Sequence, residues 1–329
     1  MIIVTGGAGF IGSNVLAGLE EAGVPDLVAC DTFGAGEKWR NIAKRELRDV
    51  IAPEHLAVYL NTHKSKIKMI YHLGGVSNTT ETDADAVVAS NFNLSRLMWQ
   101  WSAQNGVRLV YASSGSTYGD GDQGFSDEAT PESLAKLRPL TPYGWSKHLF
   151  DRSVVRAVAN KTEPIPPQWA GLKFFNVYGP NEYHKGDQRS VPSKLYPQIE
   201  AGAAVKLYRS TSPQFKDGEQ KRDFVYVRDC VDVCVWLYQN QNVSGLFNMG
   251  TGHARSFNDL ASAIFQATAK KPKIQYIDMA PDQIPRYQNY TQADMHKLQA
   301  AGYTKPFTEL EVGVEDYIKT YLTQADKYR

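Results

Sequence analysis

The sequence predicts an α/β fold, a doubly wound parallel sheet with a smaller mixed α/β lobe attached. Three observations carry this. Met1-Ile2-Ile3-Val4 runs straight into Thr5-Gly6-Gly7-Ala8-Gly9-Phe10-Ile11-Gly12. Short apolar runs alternate with helix-period stretches through the first half of the chain. Those runs are near-continuously apolar rather than alternating, which suits parallel strands covered on both faces.

The first strand, at 2–4, feeds Gly6-x-x-Gly9-x-x-Gly12, and a helical pattern follows over 12–22. This Rossmann-type order of strand, glycine turn and helix is what a dinucleotide pyrophosphate needs. Glycines let the backbone approach the phosphates, and the helix N-terminus offers free N–H groups and positive partial charge. A second apolar run at 27–30 ends on Asp31, an acid placed to meet a ribose. Further strands are predicted at 69–72, 109–112 and 172–175, with helices at 86–104 and 143–159. Right-handed crossovers then build the doubly wound sheet, whose ligands bind beyond the carboxyl ends of the strands.

After residue 175 the texture changes. Residues 176–222 are rich in Gly, Pro, Lys, Asp and Ser, with a helix-like piece at 192–201. Strand character returns at 223–227, 247–250 and 274–277, and helical character at 228–239 and 257–268. The predicted division is a dinucleotide-binding domain at 1–175 plus 223–250 and a substrate-binding lobe at 176–222 plus 251–329.

Composition narrows the class. The 329 residues hold 36 Lys+Arg against 35 Asp+Glu, so no charge excess points to nucleic acid or an anionic membrane. Three cysteines without zinc-type spacing argue against a disulfide framework or a metal site. Cys230 and Cys234, one helical turn apart, read as small core residues. The chain opens on a core strand, so no signal peptide is expected, and no apolar stretch reaches membrane-spanning length. A cytoplasmic setting is the default expectation.

The chemistry centres on Tyr143-Gly144-Trp145-Ser146-Lys147. A tyrosine and a lysine four apart at a helix start share one face. An ammonium beside a phenol favours the phenolate, so the Tyr143 pKa is expected to fall from about 10. Such a tyrosine exchanges a proton with a hydroxyl that is losing or gaining hydride. The Lys147 ammonium can also donate to ribose hydroxyls. The run 109–112 delivers Ser113-Ser114-Gly115-Ser116-Thr117 at a strand end. Ser114 is the candidate to share the substrate oxygen; Ser113, Ser116 and Thr117 read as turn supports.

The segments TGGAGFIG, YASSGSTYG, YGWSK, FFNVYGP and KRDFVYVRD together resemble the extended short-chain dehydrogenase/reductase superfamily, over essentially the whole chain. The resemblance implies reversible hydride chemistry on a nucleotide-linked sugar, with Ser114, Tyr143 and Lys147 as its hydroxyl, tyrosine and lysine. A narrower set includes Glu182-Tyr183-His184-Lys185-Gly186, Arg286-Tyr287-Gln288-Asn289-Tyr290 and Lys305-Pro306-Phe307. It is similar to the ADP-L-glycero-D-manno-heptose 6-epimerases, isomerases that invert C6 of ADP-D-glycero-D-manno-heptose for lipopolysaccharide assembly. That likeness implies Lys185 as a second acid/base working opposite Tyr143, and a homo-oligomer, as a pentamer.

For the cofactor, Asp31 favours NAD by repelling a 2′-phosphate, whereas Lys38 can bind that phosphate. The resemblance, through Asp31-Thr32 and Lys38, implies NADP, with NAD the alternative. It also implies cofactor contacts at Gly6, Gly9, Phe10, Ile11, Gly12, the loop Leu73-Gly74-Gly75-Val76-Ser77, Asn91, Lys147 and Val177.

On the substrate side, Arg222 and Arg286 suit a diphosphate, because guanidinium matches phosphate oxygens bidentately. Arg222 followed by Asp223 reads equally well as a structural ion pair. Tyr208 and Tyr287 can bracket the adenine or the sugar, and Asn176 a sugar hydroxyl. The chain departs from the family pattern at Asp187 and Lys194, where a serine and a histidine are expected. Tyr208-Arg209-Ser210-Thr211 replaces a Phe-Glu-Gly-Ser type run, residues 212–220 form a longer insert, and Pro53 replaces a lysine. All these departures except Pro53, a cofactor-side position, are expected near the substrate.

Two rival readings remain at this stage. A UDP-hexose 4-epimerase would share Ser114, Tyr143 and Lys147 but have no use for Lys185. A non-catalytic dinucleotide-binding module would often lack the tyrosine or the lysine. A sugar dehydratase is disfavoured, because Gly115-Ser116 stands where an acidic pair would be needed.

Overall fold

The structure is a computed structural model that describes residues 1–161 and 163–329. Its first half alternates strand and helix: β1 (Ile2–Thr5), α1 (Phe10–Glu21), β2 (Leu27–Cys30), β3 (Asp49–Ile51), α2 (Leu56–His63) and β4 (Met69–His72). Next come α3 (Ala84–Val87), a π segment (Val88–Asn93), α4 (Leu94–Gln104), β5 (Arg108–Ser114), α5 (Pro131–Lys136), α6 (Pro142–Asn160) and β6 (Trp169–Phe174). The second half holds β7 (Asn176–Tyr178), α7 (Val191–Glu200), β8 (Val205–Tyr208), β9 (Lys221–Tyr226), α8 (Val227–Gln239) and β10 (Gly245–Met249). It closes with β11 (Ala254–Ser256), α9 (Phe257–Ala267), β12 (Ile274–Ile277), α10 (His296–Ala300) and α11 (Leu310–Asp316).

Seven parallel strands form the main sheet in the order β10-β6-β5-β4-β1-β2-β3. The order reverses direction between β1 and β4, which makes the carboxyl ends of those strands the crevice where such sheets take ligands. Every residue of β1, β2 and β4 is buried, as their unbroken apolar runs require. One apolar cluster covers each face. Leu16, Leu19 and Val231 lie on one side, and Met98, Phe150 and Val154 on the other.

β3, α2 and α5 of the main sheet domain escape the sequence reading. β3 is an edge strand whose Asp49 and Val50 face solvent, so it carries no apolar run. α2 buries only Leu56 and Leu60. The single helix expected at 86–104 is broken by the π segment, which turns Asn91 into the interior.

The smaller lobe combines a three-stranded sheet, β11-β9-β7, with a parallel pair, β12-β8. α7, α9 and α11 pack on them around Leu195, Phe224, Ile264 and Val314. This differs from the expected division at two places. β9 hydrogen-bonds β7 and β11, not the main sheet, although 223–226 was assigned to the dinucleotide-binding domain. Ala293, Met295, Leu298 and Tyr303, assigned to the lobe, pack on the main sheet's core because α10 lies against β10.

Candidate active site

The glycine turn follows β1 into the crevice. Gly6 has φ +67°, and a Cβ there would lie 2.7 Å from the Gly74 nitrogen. At Gly12 a Cβ would lie 2.0 Å from the Gly6 carbonyl oxygen. Only glycine allows this tight turn beside the 73–77 loop. Gly9 caps α1 without a side-chain bond, and no acid stands in the first turn of α1. The N–H groups of that turn therefore offer positive partial charge. This cradle fits a diphosphate.

Asp31 follows β2 and accepts from the Ala8 N–H at 2.9 Å and the Thr32 N–H at 2.7 Å. Lys38 reaches back to it at 2.6 Å and also donates to the Thr32 carbonyl at 2.8 Å. The two groups that argued for opposite cofactors thus form one ion pair.

A buried relay ties the loop 73–77 to the rest. The Thr5 hydroxyl accepts from the Gly74 N–H at 3.1 Å and sits 2.8 Å from His72 Nδ1. His72 Nε2 lies 3.0 Å from the Ser95 oxygen, and the Ser95 hydroxyl donates to the Asn91 carbonyl at 2.7 Å. Ser95 must then accept from Nε2–H, which leaves Nδ1 bare to accept from Thr5. Burial lowers the His72 pKa to about 3, with the Lys147 charge adding to the effect. Asn91 donates to the Val76 carbonyl at 3.0 Å and to Ser146 at 3.1 Å, and Ser146 donates to the Tyr143 carbonyl at 2.7 Å. Sequence reasoning missed Thr5 and His72; in the sequence they read only as strand ends.

Tyr143 and Lys147 sit in the first turns of α6. Thr141 caps that helix by accepting from the Gly144 N–H at 3.1 Å, and Pro142 opens it. Burial pushes the Tyr143 phenol above its ordinary pKa, and the Ser114 hydroxyl beside it draws it partly back. This corrects the expectation of a phenol lowered by Lys147: loss of solvation dominates. Lys147 is buried, and burial brings its ammonium down to about 8 against the opposing pull of Asp151. Among the described residues no group hydrogen-bonds that ammonium, so its donors are free for ribose hydroxyls.

Ser114 is held by its turn, accepting from the Ser116 N–H at 3.1 Å. Ser113 donates to Asp151 at 2.7 Å, and Thr117 donates to the Ser114 carbonyl at 2.8 Å. Both are supports, as expected. Lys185 lies on a short turn, Tyr183–Gln188, with its ammonium 5.2 Å from the centre of the Phe10 ring. The turn thus brings a second amine to the start of α1. Burial lowers the Lys185 pKa; Glu182 pulls it up and Lys194 down. Ile11 and Val177 pack between the main core and the lobe core.

In the lobe, Arg222 is buried, with its guanidinium 4.8 Å from the Tyr287 ring centre and 5.6 Å from that of Phe257. Tyr208 meets Tyr287 edge to face at 6.4 Å. Among the described residues no carboxylate pairs with Arg222. Asp223 is not its partner: that carboxylate accepts from Thr251 N–H at 2.7 Å, the Thr251 hydroxyl at 2.8 Å, Gly252 N–H at 2.9 Å and Ala293 N–H at 3.0 Å. The ion-pair reading of Arg222 is thereby closed, and a buried guanidinium without a carboxylate partner among the described residues is left facing Tyr287 and Phe257. Arg286 is exposed next to Tyr287, and Asn176 is exposed at the start of β7.

The remaining substrate-side positions are used differently. Arg209 pairs with Asp217 at 3.0 Å and Asp278 at 3.4 Å. The Ser210 hydroxyl donates to the Ser212 carbonyl, and Thr211 is exposed. Arg209 and Ser210 thus hold Asp217 of the 212–220 insert, and Arg209 also ties it to Asp278. Lys194 donates to the Asp187 carbonyl at 3.4 Å, beside the Lys185 turn.

Among the described residues no cluster of His, Cys, Asp and Glu could hold a metal ion. No described helix is long and apolar enough to cross a membrane.

The model of the NAD dependent epimerase/dehydratase family matches residues 2–250. The chain is 45% identical to the ADP-L-glycero-D-manno-heptose-6-epimerase of Nitratidesulfovibrio vulgaris, with all of both chains covered. It is 44% identical to the enzyme of that name from Fusobacterium nucleatum, again over both full lengths. Among solved structures, the ADP-L-glycero-D-manno-heptose-6-epimerase of Helicobacter pylori superposes with a TM-score of 0.78 at 28% identity, covering 97% of this chain and 95% of that one.

Proposed function

The chain belongs to the NAD dependent epimerase/dehydratase family, and from that membership we propose that it inverts C6 of ADP-D-glycero-D-manno-heptose to give the L-glycero epimer. The observation that carries this reading is the placement of Lys185. A second, partly buried amine lies against Phe10 at the glycine turn, on a different element from Tyr143. A 4-epimerase that works through one tyrosine has no need of it.

The glycine turn and the 73–77 loop hold the dinucleotide, with Lys147 on its ribose. When bound, the dinucleotide supplies the acceptor and the donor of hydride at C6. The chain's own residues manage the oxygen. Tyr143, with Ser114 fixing the hydroxyl, exchanges the proton of the C6 oxygen in one configuration. Lys185 exchanges it in the other, after the sugar has turned its opposite face. Burial keeps the Lys185 pKa below that of a free lysine, which makes proton exchange with an alcohol accessible.

Arg222, stacked between Tyr287 and Phe257, takes the diphosphate, and Tyr208 and Tyr287 flank the nucleotide or sugar. The Asp31–Lys38 pair supports NADP as the dinucleotide: Lys38 cancels the charge that would repel a 2′-phosphate and keeps one of its three donors free for it. Incubation with ADP-D-glycero-D-manno-heptose, followed by NMR of the C6 configuration, tests the reading. An equilibrium mixture of epimers is expected; an unchanged sugar with cofactor bound overturns it.

A further inference from the structure

The turn that carries Lys185 is closed at both ends by one residue, Glu182. Glu182 is 0% exposed. Its carboxylate accepts from the Ser190 N–H, from the Ser190 hydroxyl at 2.5 Å and from the Tyr317 hydroxyl at 3.0 Å. Its carbonyl accepts from the Lys185 N–H at 3.0 Å. Ser190 stands at the N-cap of α7, yet its side chain makes no capping bond to that helix. It is turned toward Glu182 instead. The stretch after Glu182 therefore starts against its backbone carbonyl and ends on its carboxylate, and Tyr317, from the segment after α11, holds that carboxylate from the lobe side.

A carboxylate this deeply buried is costly unless it is hydrogen-bonded and set against positive charge. Three donors meet it here, and both Lys185 and Lys194 feel its charge. We propose that Glu182 is a positioning residue for Lys185, fixing the turn that presents the amine and supplying the one buried negative charge that offsets Lys185 and Lys194. The proposal rests on the reading of Lys185 as an acid/base of the reaction.

The surroundings make the expected effect definite. Lys185 is faced by Glu182 and His184 from its own turn, by Lys194 from α7 and by the Phe10 ring from α1. Glu182 is faced by Ser190, Lys185, Lys194, Tyr183 and Tyr317. Burial and Lys194 both push the Lys185 pKa down, and Glu182 alone pulls it up. Removing the Glu182 charge lets the amine lose its proton at lower pH, whichever way the proton moves in the reaction.

The experiment is the pH profile of the initial epimerisation rate for the unaltered protein, Glu182→Gln and Ser190→Ala, with Lys185→Met assayed alongside and thermal melting as a check on folding. In Glu182→Gln one limb of the profile is expected to move to lower pH by about one unit, the low end of what a neighbouring opposite charge contributes, while the other limb stays. Ser190→Ala keeps the carboxylate but weakens its ionisation, and should move the same limb the same way by less. A rate that falls equally at every pH, with neither limb displaced, overturns the proposal. Should Glu182→Gln not fold, Ser190→Ala decides alone. If Lys185→Met is inactive while the limbs stay in place, Glu182 is a structural residue only. If Lys185→Met epimerises normally, the acid/base reading of Lys185 fails, and the role of Glu182 with it.

Discussion

Lys173 and Asp151 form an ion pair at 2.8 Å with neither side chain reaching solvent. The pair anchors both sides of the Ser114 turn. Asp151 also accepts from Ser113 at 2.7 Å, and Lys173 also donates to Thr117 at 2.7 Å and stands 4.9 Å from the Tyr118 ring centre. Breaking a buried pair leaves one charge without a partner, which costs about 3–5 kcal/mol. Lys173→Met should therefore lose stability on that order in denaturant unfolding. The double change Lys173→Met with Asp151→Leu should recover part of it. An unchanged midpoint for the single variant would mean that the pair holds nothing in place.

Tyr143→Phe and Lys185→Met should each slow epimerisation by about 10²–10⁴-fold, the usual range for a proton-transfer group, while dinucleotide stays bound. Steady-state rates and cofactor content of the purified variants check this. Near-normal turnover in Lys185→Met would leave the reaction with a single acid/base.

Lys38 neutralises Asp31 at 2.6 Å. Lys38→Ala should weaken NADP by about tenfold or more relative to NAD, because an unpaired Asp31 would then face the 2′-phosphate. Titration of both dinucleotides measures this. An equal loss for both removes the 2′-phosphate role.

His72 is held neutral in the fold, its pKa lowered to about 3 by burial. In the unfolded chain a histidine takes up a proton near pH 6.5. The unfolded chain therefore binds the extra proton between those values, and stability falls as pH drops from about 6.5 toward 3, by about 1.4 kcal/mol for each unit. Melting temperature against pH should show this acid loss, and His72→Gln should show less of it. Parallel curves for the two proteins would assign the acid loss to other groups.

Much of this was legible in the sequence because the signals are local. The glycine turn, β1, β2, β4 and the capped start of α6 are each written in a few consecutive residues. So are Tyr143 and Lys147, one helical turn apart. What was hidden depends on contacts distant in sequence. β3 lacks an apolar run because it lies at a sheet edge, and β9 joins the small sheet through partners at 176–178 and 254–256. The Tyr143 pKa is not legible in the sequence, because spacing reveals the neighbouring lysine but not the loss of water around the phenol. Glu182 could not be singled out, since its donors lie 8 and 135 residues away. The role of Arg222 is not written locally either, because it depends on Asp223 being satisfied by Thr251, Gly252 and Ala293.

The central claim is that C6 gives up its hydrogen as hydride and receives the same hydrogen back on the other face, while Tyr143 and Lys185 exchange protons only with the oxygen. Epimerisation of ADP-D-glycero-D-manno-heptose in D₂O, followed by NMR, tests it most directly. Inverted C6 with its original hydrogen and no deuterium on that carbon is the predicted result. Deuterium at C6 of the inverted product would contradict it, because the hydrogen would then have passed through solvent.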